Sequence, residues 1–404
     1  MDGPQPSGNP FEGVPFFGDL MRMLQQAGGQ TGLGWDVARQ MAVAVATDGA
    51  SEPNVDPIER MRFDELVRVA DLHVADATGL TTSATGRVLT VAPITRTDWA
   101  MRSLEAHRPL LERLAGSLTR ISEDADGLDE QVDPEAAAGD PFAGMLGGLT
   151  QLLGPMMLGM TAGSMMGHLA RVSLGQYDLP LPRPLSDELL VVPANLAELA
   201  DEWSLPADEL RLWVCLHEIT HHAVLARPHV RARLESLLGA YADGFRLDPG
   251  ALESAFGDID PTDANGLQAL VERPEALLGA MRTDEQAEIA RRLEAVTSTI
   301  VGYVDHVMDQ IGSKLISSYG MTTEAQRRRR VTAGESARFV ERLLGLDLGQ
   351  RQYDRGNAFI DGVVERSGEE GLRRLWATEA TLPTPAEIEA PGLWLARIEF
   401  ETDR

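Results

Sequence analysis

The sequence predicts a mainly α-helical protein with a small sheet, of the α+β kind. Three observations carry this. Most of the chain outside its Gly- and Pro-rich breaks repeats apolar residues at helical spacing. Only two runs, "GRVLTVAPI" and "ELLVVPANL", are short, β-branched and bounded as strands are. Aromatic residues make up 5%, so the core has to rest on Leu, Val, Ala and Met.

The chain has 404 residues, which suits two to three domains or one large domain with insertions. The formal net charge of −26 argues against a nucleic-acid binder and against adhesion to anionic membranes, because both need clustered Lys and Arg. A single cysteine excludes an internal disulfide framework and suits a reducing compartment. The first residues, "MDGPQPSGNPFEGVPFFGDL", carry acid and proline and no basic stretch before an apolar one, so no secretory signal is expected and the location expected is cytoplasmic.

Residues 1–18 are Gly- and Pro-rich and are expected to lack regular structure, although Phe11, Val14, Phe16 and Phe17 can dock on a core. Residues 19–121 form an N-terminal helical region. "GDLMRMLQQ" and "WDVARQMAVAVAT" read as helices, followed by "DPIERMRFDELVRVADLHVADATGL", in which Met61, Leu66, Val69, Leu72 and Val74 suggest the apolar stripe. After the first strand, "TRTDWAMRSLEAHRPLLERLAGSLTRI" returns to helix. Residues 122–140 hold eight acids and no base, and read as a solvated, mobile insertion.

The remaining core, 141–404, opens with a run that carries no charge from Pro141 through Gly167. Its length could span a bilayer, and Gly159, Gly163 and Gly167 have the spacing that lets helices approach closely. Pro155, the many glycines and the lack of a basic flank favour instead a pair of buried helices. "DLPLPRP" is extended by its prolines. Further helices are expected at 228–246, 284–316, 334–348 and 351–376, and the basic block "RRRR" at 327–330 reads as a solvated helix or loop, with contact to an anion or an acidic partner as the alternative.

One helix carries chemistry. It is expected to start near Ser204, with Pro206 in its first turn, and contains "CLHEITHHAV". His217 and His221 are four apart, about 400° of helical turn, so both imidazoles leave one face. That spacing lets two nitrogens reach one Zn²⁺ at about 2.0–2.1 Å. Glu218 can then take a proton from a metal-activated water and pass it to a leaving amine. This is the H-E-x-x-H pattern of zinc hydrolases. Its flanks Leu216, Ile219, Ala223, Val224 and Leu225 are uncharged, as burial in a core requires. His222 lies about 100° round the helix and reads as a polar group at the rim, and Cys215 as a small buried apolar residue.

A catalytic zinc needs a third protein ligand and an open position. Val224 and Arg227 stand where a longer H-E-x-x-H-x-x-G-x-x-H pattern would place Gly and His, so the ligand has to come from elsewhere. Glu235, Asp243 and Glu253 read as salt-bridged surface groups. In "IVGYVDHVMDQIG", the apolar stripe Ile300, Val304, Val307 and Ile311 is interrupted by Asp305, His306 and Asp309. Buried acids need partners, so Asp305 is the first choice of ligand, His306 the second and Asp309 the third.

These stretches resemble an actinobacterial family of zincin-like, zinc-dependent metallopeptidases, some of whose members are labelled as associated with biosynthesis of a deazaflavin coenzyme. The resemblance runs through "NPFEGVPFFGDL", "GHLARVSLGQYDLPLPRP", "LLVVPANL", "CLHEITHHAV", "GYVDHVMD" and "ERLLGLDLGQRQYDRGNAFIDGVVER". It implies a zincin-like core with added N- and C-terminal helices, bound Zn, a peptide or protein substrate, and a Glu at position 301 as third ligand, with the acid four residues later supporting a ligand histidine. This chain has Val301 there. Either Asp305 joins His217 and His221 on the metal, or two histidines and water hold it weakly. Two functions follow as expectations: a zinc metallohydrolase of the peptidase kind with Glu218 as base and acid and Tyr303 or Tyr353 at the oxyanion, or a non-catalytic protein that retains the helix as structure.

Overall fold

The computed structural model describes residues 34–117, 141–245, 283–332, 338 and 341–402. The segments 1–18 and 122–140, the helix expected at "GDLMRMLQQ", Glu253 and part of 334–348 lie outside the described residues. The described architecture is helical around one small parallel sheet, the mainly α, α+β class read from the sequence.

The first two helices are α1 (Trp35–Thr47) and α2 (Pro57–Thr78). Asp56 caps α2 by accepting from the Ile58 N–H at 2.9 Å, Pro57 supplies a preset first turn, and Gly79 ends it at φ 67°. The buried face of α2 is Phe63, Val67, Ala70 and Val74. This corrects the stripe read from the sequence: Met61 and Leu72 are 61% and 69% exposed, and Val69 also faces solvent. Positions 63, 67, 70 and 74 follow the i, i+4, i+7 rhythm of one face, which the apolar residues at 61, 69 and 72 do not share.

Strand β1 (Thr90–Pro93) pairs in parallel with β2 (Glu188–Val191), Thr90 opposite Glu188 and Pro93 opposite Val191. The second strand is shorter than "ELLVVPANL": Pro193 opens helix α5 (Pro193–Trp203), where a proline fits the first turn. Between the strands come α3 (Arg96–Ala106), capped by Thr95, and the long helix α4 (Pro141–Val172).

Helix α4 runs unbroken past Pro155, where the sequence suggested two helices. Its glycines explain its packing. A β-carbon at Gly159, Gly163 or Gly167 would drive into the backbone of α1 and the residue before it, at Gly34, Ala38 and Ala42. Small residues on both helices, Ala38, Ala42 and Ala46 opposite the glycines, let the two backbones meet. No helix among the described residues is long and apolar enough to cross a membrane.

The motif helix is α6 (Ala207–Leu225), followed by α7 (Pro228–Asp243). Its N-cap is Pro206, not Ser204. Ser204 instead ends α5 in the left-handed region at φ 52°, and the Leu205 N–H returns to the Ala200 carbonyl at 2.9 Å. Closing one helix this way leaves the next to begin only after Pro206. Helix α8 (Asp284–Leu315) opens with a capping box between Thr283 and Gln286, and α9 (Tyr319–Val331) carries the four arginines. Helix α10 (Gln350–Arg373) is kinked at Gly368, and α11 (Pro385–Ile388) and α12 (Pro391–Thr402) close the described chain.

Helix α6 packs on α2 and α8, and α8 packs on α10. Gly302 and Gly356 form the α8–α10 crossing, where a β-carbon on either would strike the backbone of the other helix. That close approach sets Asp305 and Asn357, each just beyond its glycine, on the wall of one cavity that His217 reaches from α6.

Candidate active site

Two polar ties fix α6 before any chemistry. The Arg211 guanidinium clasps Glu59 of α2 with two bonds, at 2.9 and 2.8 Å. Glu209 accepts from both the N–H and the hydroxyl of Ser318, at 2.8 and 2.7 Å, and so anchors the start of α9. Leu216, Ile219, Ala223, Val224 and Leu225 are buried, as the uncharged flanks implied. Cys215 is fully buried, and burial pushes its thiol up, with Glu218 adding to the shift.

His217 and His221 stand side by side on α6, ring centroids 4.4 Å apart and tilted by 55°. Trp213, one turn earlier, stacks on His217 at 4.9 Å and 17°. The Nδ1 of His221 donates to the His217 carbonyl at 3.1 Å, and the Nδ1 of His217 faces Glu218 Oε1 at 3.2 Å. With both Nδ1 protons held by acceptors, each ring keeps its lone pair on Nε2, the tautomer a metal ligand needs. Burial, with His217 beside it, holds the His221 imidazole well below the usual histidine range, so it is neutral at pH 7.

Glu218 is buried, and its carboxylate is turned against the segment that precedes β2. Its Oε2 accepts from the N–H groups of Gln176 and Tyr177 at 2.8 and 3.0 Å. Burial raises its pKa, offset in part by the bond and charge of His217 and by the Tyr177 amide. The segment holds its shape through several independent bonds. Asp178 accepts from the Leu174 and Gly175 N–H groups, Trp99 Nε1 donates to the Gly175 carbonyl at 2.8 Å, and the Val192 N–H donates to the Leu174 carbonyl at 2.9 Å. A bridge between Gly175 and Val191 lays it antiparallel beside β2.

His222 is buried, not at the rim as the sequence suggested. Tyr177 and Asp187 close over it. The Tyr177 hydroxyl meets His222 Nδ1 at 2.9 Å, and Asp187 Oδ1 stands 3.6 Å from its Nε2. Burial lowers the His222 pKa against the pull of Asp187. Asp187 itself latches the 83–87 turn, accepting from the N–H groups of Ala84, Thr85 and Arg87 and from the Ser83 and Thr85 hydroxyls. Burial opposes its charge, yet these bonds hold the carboxyl well below the usual range.

A cavity of about 450 Å³ opens on His217 and Trp213 and is walled by α8, α9 and α10. Asp305 lines it, on the helix face one turn beyond the buried Val301. Its carboxylate lies 3.6 Å from Arg330. Burial raises its pKa, against the charges of Arg330 and His217 and the neighbouring Asn357 amide. Asp309 also lines the cavity and accepts from the Tyr319 hydroxyl at 2.6 Å. His306 is turned elsewhere, onto Glu369 at 3.0 Å and Gln310 at 2.9 Å. Tyr353 lines the cavity, whereas Tyr303 packs edge-on to Trp376. Glu235 and Asp243 pair with Arg231 and Arg113, as salt-bridged surface groups do.

The donor chemistry fits a zinc ion at two positions: two imidazoles on one face, each with Nδ1 anchored and Nε2 free to coordinate. The third donor is not gathered beside them. Among the described residues no group of three or more His, Cys, Asp or Glu side chains is arranged to hold a metal.

Three parts of the site escaped the sequence reading. The 174–178 segment that holds Glu218 had a legible signal, a Gly followed by polar residues ahead of a proline run, which marks a fixed turn. Trp213 stands four residues before His217, the spacing at which helical side chains meet. Asn357 lies far along the chain, and only the glycine crossing brings it near Asp305.

The profile of the family described as "Zincin-like metallopeptidase" matches residues 33–395. No curated protein sequence matches significantly. Among solved structures, a protein from Chloroflexus aurantiacus described as "a putative hydrolase with a novel fold" superposes with a TM-score of 0.61 at 24% identity, over 91% of this chain and 99% of that one. The fold is therefore shared with that protein, and the match across nearly all of the described residues identifies the family: the chain belongs to the zincin-like metallopeptidases.

Proposed function

We propose that the chain is a zinc-dependent metallohydrolase acting on peptides, with His217 and His221 as metal ligands. One observation carries the proposal: the two imidazoles share one helix face, each with Nδ1 bonded and Nε2 left to coordinate, and His217 lines the cavity. Family membership supports it, as does the description "a putative hydrolase" printed for the Chloroflexus aurantiacus protein. Zinc, when bound, supplies a Lewis acid that polarises a carbonyl and lowers the pKa of water.

The chain's residues supply the rest. Trp213 fixes the His217 ring by stacking. Glu218, its pKa raised by burial, is the proposed base and acid, and its Oε1 anchors the His217 ring. The Gln176 and Tyr177 amides hold the other oxygen, so the carboxylate cannot swing freely. Asp305 is the proposed third donor, and to hold zinc it would have to give up its long contact with Arg330. A screen of a peptide library against the wild type and Glu218→Gln tests the reading. Cleavage by the wild type that is lost in the variant supports it, and equal turnover by both defeats it.

A second reading is favoured by Val301 and by the Asp305–Arg330 contact: a non-catalytic protein that keeps the helix as structure. Glu218 weighs against it, because binding a purely structural zinc does not need an acid next to the ligand histidine.

A further inference from the structure

The arginine block 327–330 is not uniform. Arg327 pairs with Glu324 at 2.8 and 2.9 Å. Arg328 pairs with the same glutamate at 2.6 Å and lies over Trp203. Arg329 donates to the Val172 carbonyl and to Gln326 Oε1 at 3.2 Å. Arg330 differs. Its guanidinium lies 3.8 Å over the ring of Tyr353, which orients it, while its nearest carboxylate, Asp305, stands at 3.6 Å, beyond hydrogen-bond length. Its Nε is buried with no acceptor.

The same cavity wall collects other unsatisfied polar atoms. Gln326 Nε2 lacks an acceptor, and Gln350 Oε1 and Asn357 Oδ1 lack donors. These polar side chains line the cavity beside Arg330 and give its wall both hydrogen-bond donors and acceptors. The donors, a planar guanidinium fork and an amide N–H, suit a carboxylate, and the acceptors suit the N–H groups of a peptide.

We propose that Arg330, braced by Tyr353 and aided by Gln326, binds a carboxylate on the substrate, within about one residue of the carbonyl presented to His217. Asp305 connects the two ends: it lies 3.6 Å from Arg330 and lines the same cavity as His217. A ligand carboxylate on Arg330 takes over the role Asp305 plays now and frees Asp305 toward the histidines. The inference rests on the peptidase reading only for the position of the reacting carbonyl. The carboxylate is either a free C-terminus, as in removal of a terminal residue, or an acidic side chain.

The test is binding, measured calorimetrically on metal-free full-length protein, so that it reads out without zinc or turnover. The probes are N-acetyl-Ala-Ala as free acid and as amide, and N-acetyl-Ala-Glu-amide and N-acetyl-Ala-Gln-amide. At least about tenfold tighter binding of one acid over its neutral partner is expected, because a charge-assisted pair contributes roughly 1.5–3 kcal/mol. The first pair reports a C-terminal preference and the second an acidic side chain. Arg330→Gln is expected to erase the difference, and Arg330→Lys to restore only part of it. Equal binding within both pairs, or no binding by any probe, overturns the proposal on the unsubstituted protein, whatever the variants do. A failed zinc assay with an intact acid preference would sink the hydrolase reading alone.

Discussion

Gly175 lies against Glu218 so closely that a β-carbon at 175 would overlap the carboxylate carbon and Oε1. The missing side chain lets the Gln176 and Tyr177 amides reach Oε2 while Oε1 stays beside His217. Gly175→Ala is expected to displace the carboxylate. Overpacking of this kind costs about 1–3 kcal/mol of stability. Peptide cleavage should fall at least about tenfold while zinc content is unchanged, because neither histidine is touched. Cleavage and thermal stability both equal to the wild type would show that the contact does not position Glu218.

Asp187 latches the 83–87 turn onto the sheet and backs His222. Asp187→Asn removes the charge that these donors favour, at a cost of about 2–4 kcal/mol at pH 7. The sign of the pH effect follows from its depressed folded pKa. The stabilisation is complete above the unfolded value, about 3.9, and is lost as pH falls through the lower folded value. Denaturant melts of wild type and variant should therefore differ fully at pH 7 and converge below about pH 4. A gap that widens on acidification would contradict this.

The α1–α4 crossing is backbone on backbone. Gly163→Val places a branched side chain where the Ala38 carbonyl and the Met41 side chain lie. A loss of about 3 kcal/mol is expected by urea denaturation, larger than for the same change at a solvent-facing helix position. An unaltered midpoint would mean that the two helices separate without penalty.

The element sequence was legible where spacing, caps and breakers agree. The helices Trp35–Thr47, Pro228–Asp243 and Asp284–Leu315 fall close to where the periodicity places them. Burial was less legible. The face of α2 was misread because apolar side chains at 61, 69 and 72 face solvent, and hydrophobic residues at a surface are normal. Pro155 misled because α4 continues through it, although an interior proline removes one helical hydrogen bond. In the site, the paired histidines were read from local spacing alone. The 174–178 segment, Arg330 and Asn357 come from separate parts of the chain, and no local pattern tells which of those parts meet, even where glycine spacing signals a close helix contact.

Asp305 separates the two functional readings. If it joins the metal, Asp305→Ala should weaken zinc binding by more than the roughly 10–100-fold typical of a residue that only supports a ligand. Competition with a chromogenic chelator measures this. Zinc affinity equal to the wild type would leave Asp305 as the partner of Arg330 and nothing more.

The most direct measurement is the metal itself. Protein purified without chelator and analysed by elemental mass spectrometry should contain about one zinc per chain. The double variant His217→Ala, His221→Ala should contain none while keeping its helical circular dichroism. A folded double variant that retains the full zinc content would contradict the account, because the metal would then sit somewhere other than the face shared by these two histidines.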